Sequence, residues 1–324
     1  MGLGAAAYSP AKYGILTELL PPEKLVIANG WIEGLTVASI VLGTVFGGLL
    51  ISPAISAALL AFDFPLIDTG VDTIPEAGIL LIAVFYSTAA IFNLYIPNTG
   101  VDHRILKKNP VFLMHEFGHC MKLLWTDKLG QISLAVTTLF WGAGATLQFI
   151  VLKWADAALG YPLSKAAQLQ GVVAVGIAVG AVLAARIVSL RQSVRVIPLG
   201  IAMGIVVMAM ILAHDLWIAI GLLMLIGGLA GFFVVPMNAL LQHRGHILMG
   251  AGHSIAVQNF NENLSILAML AIYALLVSFD VHVYTVIVLF GLFVAVIMTV
   301  IRQWHLRNQS IEDSLHLIGA HKGH

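Results

Sequence analysis

The segment VFLMHEFGHCMKLLW at 111–125 contains HEFGH, a full match to the HExxH pattern of zinc metalloproteases. In these enzymes two His residues one helical turn apart bind Zn²⁺, and the Glu between them activates the metal-bound water. His115, Glu116 and His119 have this spacing, but a third protein ligand is needed, and neither HExxHxxGxxH nor an Asp-Gly pair supplies one. We therefore predict that HEFGH is a chance match, with no catalytic residue and no bound metal.

A second set of candidate residues, with ionisable or amide side chains, lies inside long apolar segments. In chain order these are Lys12, the i, i+4 pair Asn29 and Glu33, the isolated Gln148, and the i, i+4 pairs Gln258 with Glu262 and Asn259 with Asn263. Residues spaced i, i+4 share a helix face. Polar groups at membrane depth are costly, so their default interpretation is a substrate site. The alternatives are hydrogen bonds between helices and, for Lys12 and Glu33, snorkelling to the interface.

Composition defines the class of protein that must position these groups. The chain has 324 residues, of which 60% are apolar and 10% charged, whereas soluble domains carry about 25% charged residues. So few charges cannot cover a water-facing surface, and backbone groups in lipid are satisfied by helices. We predict an all-α integral membrane protein. The net charge of zero implies no nucleic-acid partner, and the single cysteine excludes an intrachain disulfide.

Apolar runs long enough to cross about 30 Å of hydrocarbon recur along the chain. We predict nine spans, at 1–20, 27–51, 76–96, 131–152, 167–190, 196–213, 216–241, 253–278 and 281–303. If the first span starts outside, every Lys and Arg except Lys153 and Lys165 lies in a segment predicted to be inside or, like Lys12, towards the inner end of a span. Because positive residues accumulate on the cytoplasmic side, this predicts a periplasmic N-terminus, as written, and a cytoplasmic C-terminus.

The polar stretch at 97–130 divides the predicted spans into two groups. We expect a partial N-terminal bundle at 1–96, a cytoplasmic linker at 97–130 and a C-terminal six-helix bundle at 131–303, followed by a tail at 304–324. Within the linker, 111–125 is predicted to form an amphipathic helix whose apolar side lies on the membrane interface. A faint repeat between 5–34 and 227–263 is typical of transporters built from repeats.

Four long stretches carry a resemblance to a known family. They are GAAAYSPAKYGILTELLPPEKLVIANGWIEGLTVASIVLGTVFGGLL (4–50), TLFWGAGATL (138–147), MLIGGLAGFFVVPMNALLQHRG (224–245) and GAGHSIAVQNFNENLSILAMLAIY (250–273). Together they resemble the lysophospholipid transporter family (LplT) of Gram-negative inner membranes, within the major facilitator superfamily. That family has twelve spans in two six-span bundles. Against this pattern the chain is expected to start within the fourth span and to hold about nine of the twelve helices.

The resemblance implies a non-enzymatic function without a cofactor. Family members move lysophosphatidylethanolamine and lysophosphatidylglycerol to the cytoplasmic leaflet of the inner membrane, where an acyltransferase/acyl-ACP synthetase reacylates them. Lys12 matches a membrane-depth Lys suited to a headgroup phosphate, and Glu33 and QNFNEN (258–263) also occupy matching motif positions. Gln148 stands where other family members carry Arg, which puts its role in anion binding in doubt.

Three alternatives to this function stay open from the sequence. The first is a major facilitator exporter of another amphipathic solute, and the second is an intramembrane zinc protease acting through HEFGH. The third is a non-functional fragment, because three spans of the family pattern precede the first residue of this sequence.

Overall fold

The computed structural model describes residues 13–51, 73–97, 109–311 and 318, and these contain helices and no strand. A helical stretch at 13–19 comes first. The α-helices that follow are α1 (Leu25–Ile51), α2 (Ile74–Asn93), α3 (Pro110–Thr126), α4 (Gly130–Leu159), α5 (Leu163–Ile187), α6 (Ile197–Ala209), α7 (Leu216–Met249), α8 (Ala251–Ser278) and α9 (Val283–Ile311). Short 3-10 turns occupy Pro22–Lys24, Leu190–Val196 and Met210–Leu212.

Seven helical segments of the described chain are long and apolar enough to cross a membrane. They are Pro75–Asn93, Gly130–Leu159, Lys165–Ile187, Leu190–Leu212, Leu216–Met249, Ala251–Ser278 and Val283–Ile311. Each corresponds to one predicted span, and α1 covers the predicted span at 27–51. The predicted span at 1–20 lies mostly outside the described residues. The predicted fold class, an all-α integral membrane bundle, is confirmed.

Short-range chemistry sets the helix ends. The Asn109 side chain accepts a hydrogen bond from the Val111 backbone N–H at 3.1 Å and starts α3, with Pro110 in the first turn. Asp215 caps α7 in the same way. Gly250, at φ 84°, makes the single-residue turn from α7 into α8, a backbone conformation that favours glycine.

The chain divides into two compact units, one within Met1–Val37 and His103–His324 and the other within Ala38–Asp102. In the larger unit α7 is the central helix and packs against α3, α4, α5, α6 and α8, while α9 packs on α4 and α6. Its core includes the fully buried Trp154, Leu223 and Phe233. The smaller unit holds the last part of α1 and α2, which begins at a capping box formed by Thr73 and Glu76.

Glycines bring α5 and α7 into backbone contact. A Cβ on Gly180 would overlap the carbonyl of Gly228, and one on Gly231 would overlap the carbonyl of Ile177. Small residues at this spacing let membrane helices approach closely. This contact holds α5 against the first half of α7, and the polar contacts described next lie further along α7, at 238–244.

Several helices differ from the sequence-based expectation, among them α4, which continues to Leu159, and α9, which continues to Ile311. The predicted span ended at 241, but α7 continues to Met249, because its polar residues beyond that point are buried against neighbouring helices. The amphipathic helix α3 forms as predicted, yet only part of its apolar side faces outward. Cys120 and Leu124 are buried against a cluster that includes Val257, while Met114 stays exposed.

Candidate functional site

The buried polar residues concentrate where α7 meets α1 and α8. Asn238, Gln242, His243 and Arg244 all lie on α7 and are buried, because this part of the helix is covered on every side. Polar groups in such a position need partners, since an unsatisfied buried group is costly. The hydrogen-bond partners of each residue therefore decide whether it can also bind a ligand.

Asn29 and Gln242 form a closed amide pair between α1 and α7. The Asn29 Nδ2 group donates to Gln242 Oε1 at 2.8 Å, and Gln242 Nε2 donates back to Asn29 Oδ1 at 3.0 Å. Asn29 Nδ2 also donates to the Leu25 carbonyl at 2.9 Å. The two side chains are 0% and 2% exposed. The hydrogen-bonding groups of the Asn29 side chain are therefore occupied by protein partners.

A second chain of polar contacts joins α7 to α8 through Gln258. The Gln258 Nε2 group donates to Glu262 Oε1 at 2.8 Å and to Asn238 Oδ1 at 3.2 Å. All three side chains are buried. The Gln258 Oε1 atom is also buried and has no hydrogen-bond partner among the described residues. This row, Asn238–Gln258–Glu262, is called the acceptor row below.

Two more groups face the acceptor row: the Tyr13 hydroxyl, from the helical stretch at 13–19, and the Glu33 carboxyl, from α1. The carboxyl groups of Glu33 and Glu262 lie within electrostatic range of each other and of the Tyr13 hydroxyl. Glu33 is buried and Tyr13 half-buried. Lys12, the predicted phosphate ligand, lies outside the described residues. The structure thus brings Glu33, Gln258 and Glu262 into one neighbourhood.

The remaining QNFNEN amides point elsewhere. Asn259 is half-buried and Asn263 exposed, and the Asn263 Nδ2 group donates to the Asn259 carbonyl at 2.7 Å. Asn261 is buried on a third side of α8, where its Nδ2 group donates to the Val257 carbonyl at 2.8 Å and contacts Met121 Sδ of α3 at 3.2 Å. The segment therefore presents its amides in three directions.

Gln148 lies apart from the acceptor row. Its side chain is exposed, and its backbone carbonyl accepts a hydrogen bond from Gln170 Nε2 at 3.2 Å. The next residue, Phe149, contacts Tyr273 of α8, both ring to ring and through a Tyr273 hydroxyl hydrogen bond. Eleven residues separate Tyr273 from Glu262, which is about 16 Å along a helix. The structure does not bring Gln148 to the other candidates.

The HEFGH residues lie on α3. His115 and His119 are exposed on one face of the helix, and Glu116 lies 3.9 Å from His253 Nε2 of α8. In the described part of the chain, no group of three or more His, Cys, Asp or Glu side chains is placed to hold a metal ion. The interpretation of HEFGH as a chance match stays a prediction.

Sequence reasoning missed Arg244 and Asp127 as a pair. Arg244 Nε donates to Asp127 Oδ1 at 3.1 Å, and its Nη2 donates to Oδ2. The side chains are 5% and 9% exposed, so the ion pair is buried. Asp127 Oδ1 also accepts from the backbone N–H groups of Leu129 and Gly130, at 3.2 and 2.7 Å, at the start of α4. In the sequence, Arg244 has the pattern of a positive charge in an inside loop.

Asn238 and Gln242 were also missed, although a signal for them exists. They have the same i, i+4 spacing that singled out Gln258 and Glu262 on α8.

Helices of membrane length around a buried polar core define a multi-pass membrane protein of the transporter class.

Comparison with known proteins gives the family. The model of the Major Facilitator Superfamily matches residues 1–266. The lysophospholipid transporter LplT of Escherichia coli O1:K1 / APEC is 42% identical over 309 residues, which cover 95% of this chain and 73% of that protein. LplT of Shigella boydii serotype 4 (strain Sb227) gives the same values. The chain therefore belongs to the Major Facilitator Superfamily and, within it, to the lysophospholipid transporter LplT family.

A solved structure supports the fold independently. A bacterial homologue of the iron transporter ferroportin, crystallised in its outward-facing state, matches with a TM-score of 0.61. The match covers 95% of this chain and 70% of that structure, at 15% sequence identity. At this identity the similarity concerns the helical architecture alone.

Proposed function

We propose that the protein moves lysophospholipids, chiefly lysophosphatidylethanolamine and lysophosphatidylglycerol, to the cytoplasmic leaflet of a bacterial inner membrane. The observation that carries this proposal is the 42% identity over 95% of the chain to proteins named lysophospholipid transporter LplT. A lysophospholipid joins a polar headgroup to one acyl chain, so its carrier needs polar groups at membrane depth among apolar helices. The buried acceptor row on α7 and α8 is a group of this kind.

The headgroup would bind near the acceptor row and Glu33, with Lys12 as the partner of the phosphate. The substrate enters laterally from the bilayer, and its acyl chain lies along the apolar helix walls. The exposed Gln148 and the outward amides of α8 contact the substrate at other stages of its passage. Because Asn29 is saturated by protein partners, its contribution is to hold α1 against α7.

Topology and mechanism follow from the charge distribution and the family architecture. The N-terminus, as written, faces the periplasm and the C-terminus the cytoplasm. The partial bundle at 1–96 and the six-helix bundle at 131–303 rock about the central site, connected by the linker at 97–130. The transported lipid is delivered to a cytoplasmic-side acyltransferase/acyl-ACP synthetase, and transport itself uses no cofactor.

The test uses the purified chain in proteoliposomes with a labelled lysophospholipid. Albumin extracts the label from the outer leaflet only, so label that resists extraction reports flipping. We expect the protected fraction to rise faster than in empty vesicles and the rise to be slowed by Glu262→Ala. Leu267→Ala, at an exposed position of the same helix, is the matched control and should leave the rate unchanged.

Two outcomes would contradict the proposed function. The first is a protected fraction that rises no faster with the protein than without it. The second is that the same vesicles move amphipathic dyes but not lysophospholipids, which would favour the exporter of another solute.

A further inference from the structure

The acceptor row contains one buried acceptor that no donor of the described residues reaches. An amide NH₂ carries two N–H donors, and Gln258 directs its Nε2 group at Asn238 Oδ1 and at Glu262 Oε1. Its own Oε1 atom is buried and unpartnered in the described chain. Gln258 is only 6% exposed, so bulk water does not readily supply the missing donor. The site is built for a ligand that donates hydrogen bonds.

The Glu262 carboxyl group also favours a ligand that donates hydrogen bonds. Glu262 is 7% exposed, and its one hydrogen bond within the described residues comes from the neutral Gln258 amide. Among the described residues, the groups that face it from the neighbouring helices are Glu33, a second carboxyl, and the Tyr13 hydroxyl. A buried carboxylate is stable only when a cation or several donors compensate it. The complementary ligand therefore combines N–H donors with a positive charge.

We infer that Gln258 and Glu262 form the subsite for a primary ammonium group and select the ethanolamine headgroup of the lysophospholipid. An ammonium group has three N–H donors, enough for Gln258 Oε1 and the Glu262 carboxylate together. A trimethylated choline headgroup has the charge but no N–H donor. A glycerol headgroup has donors but no charge. This inference rests on the proposed function and adds to it the residues that read the headgroup.

The selectivity is tested with two substrates in the same proteoliposomes, one with an ethanolamine and one with a glycerol headgroup. Glu262→Gln removes the charge but keeps an oxygen that accepts from Gln258. We expect the ratio of ethanolamine to glycerol transport to fall about tenfold, because a charge-assisted hydrogen bond is lost. The glycerol lipid is an internal control for folding, and Leu267→Ala should leave the ratio unchanged.

A second measurement needs no variant. The unaltered protein should flip lysophosphatidylethanolamine about tenfold faster than its N-trimethylated counterpart, since only the former donates to Gln258 Oε1. Equal rates for these two lipids, or an equal loss of both substrates in Glu262→Gln, would overturn the ammonium subsite. If the unaltered protein flips no lysophospholipid at all, the proposed function fails before the subsite is at issue.

Discussion

Removing Arg244 should destabilise the protein because it strands the buried carboxylate of Asp127. In the native structure that carboxylate accepts two hydrogen bonds from Arg244 and two from backbone N–H groups at the start of α4. Among the donors of the described residues, Arg244→Ala leaves the two backbone N–H groups. Breaking a buried ion pair by removing one partner costs about 3–5 kcal/mol.

Asp127→Ala should cost more than Arg244→Ala, since Asp127 has two roles. It removes the ion pair and also the cap of α4, which is worth a further ~1 kcal/mol, for a total of about 4–6 kcal/mol. The double variant leaves neither charge of this pair behind. We therefore expect it to be at least as stable as Asp127→Ala alone, and not destabilised by the sum of both changes.

The assay is the midpoint of thermal denaturation in detergent, followed as loss of the monodisperse chromatographic peak. At about 2–4 °C per kcal/mol, Arg244→Ala should lower the midpoint by about 6–20 °C. Arg302→Ala, at an exposed position of α9, is the matched control and should change stability by less than about 0.5 kcal/mol. An unchanged midpoint for Arg244→Ala, or fully additive losses in the double variant, would refute the reasoning.

Three further predictions concern packing, an amide pair and a thiol. Gly180→Ala should lower the free energy of unfolding by about 1–3 kcal/mol, because the added methyl group overlaps α7. Gly144→Ala is the control, because a Cβ there meets no atom within 4 Å. Equal thermal midpoints for the two variants would contradict the close contact. Asn29→Ala should cost about 1–3 kcal/mol, because it leaves Gln242 with buried unsatisfied groups; a double replacement of both amides by apolar residues should recover much of the loss. Burial, with the nearby Glu116 carboxylate, raises the pKa of the Cys120 thiol, so the thiolate is scarcer at neutral pH than for an ordinary cysteine. Maleimide labelling of the folded protein should therefore be slow at pH 7, accelerate with pH beyond the usual range, and become fast on denaturation; fast labelling of the folded protein at pH 7 would contradict this.

Local patterns predicted the helices and two of the three residues of the acceptor row, Gln258 and Glu262. Hydropathy located the spans because crossing lipid demands long uninterrupted apolar segments, which any window of the sequence reveals. The i, i+4 spacing of Gln258 and Glu262 placed them on one face of α8, and a hydrogen bond at 2.8 Å joins them. Both properties depend only on residues close together in the chain.

Partners distant in the chain could not be predicted in this way. Asn29 and Gln242 are 213 positions apart, and nothing in either segment indicates the other. Arg244 and Asp127 are separated by 117 positions. Arg244 follows the apolar part of α7, so it has the local pattern of a loop charge, and only the packing of α7 reveals that it is buried. The end of a predicted span is thus a poor guide to where burial ends.

The hydrogen-bond inventory separates the candidate residues into two groups that the sequence could not distinguish. Asn29 and Gln242 satisfy one another, so a passing headgroup could bind them only by first breaking hydrogen bonds between helices. Among the described residues, Gln258 keeps an unused acceptor and Glu262 a carboxyl group that no cation pairs with, so a ligand can bind them without such a loss. Replacing Asn29 should therefore change stability without altering headgroup preference, whereas Glu262→Gln should change the preference. If Asn29→Ala shifted the headgroup ratio as strongly as Glu262→Gln does, the closed amide pair would have to open during transport, and this division would be wrong.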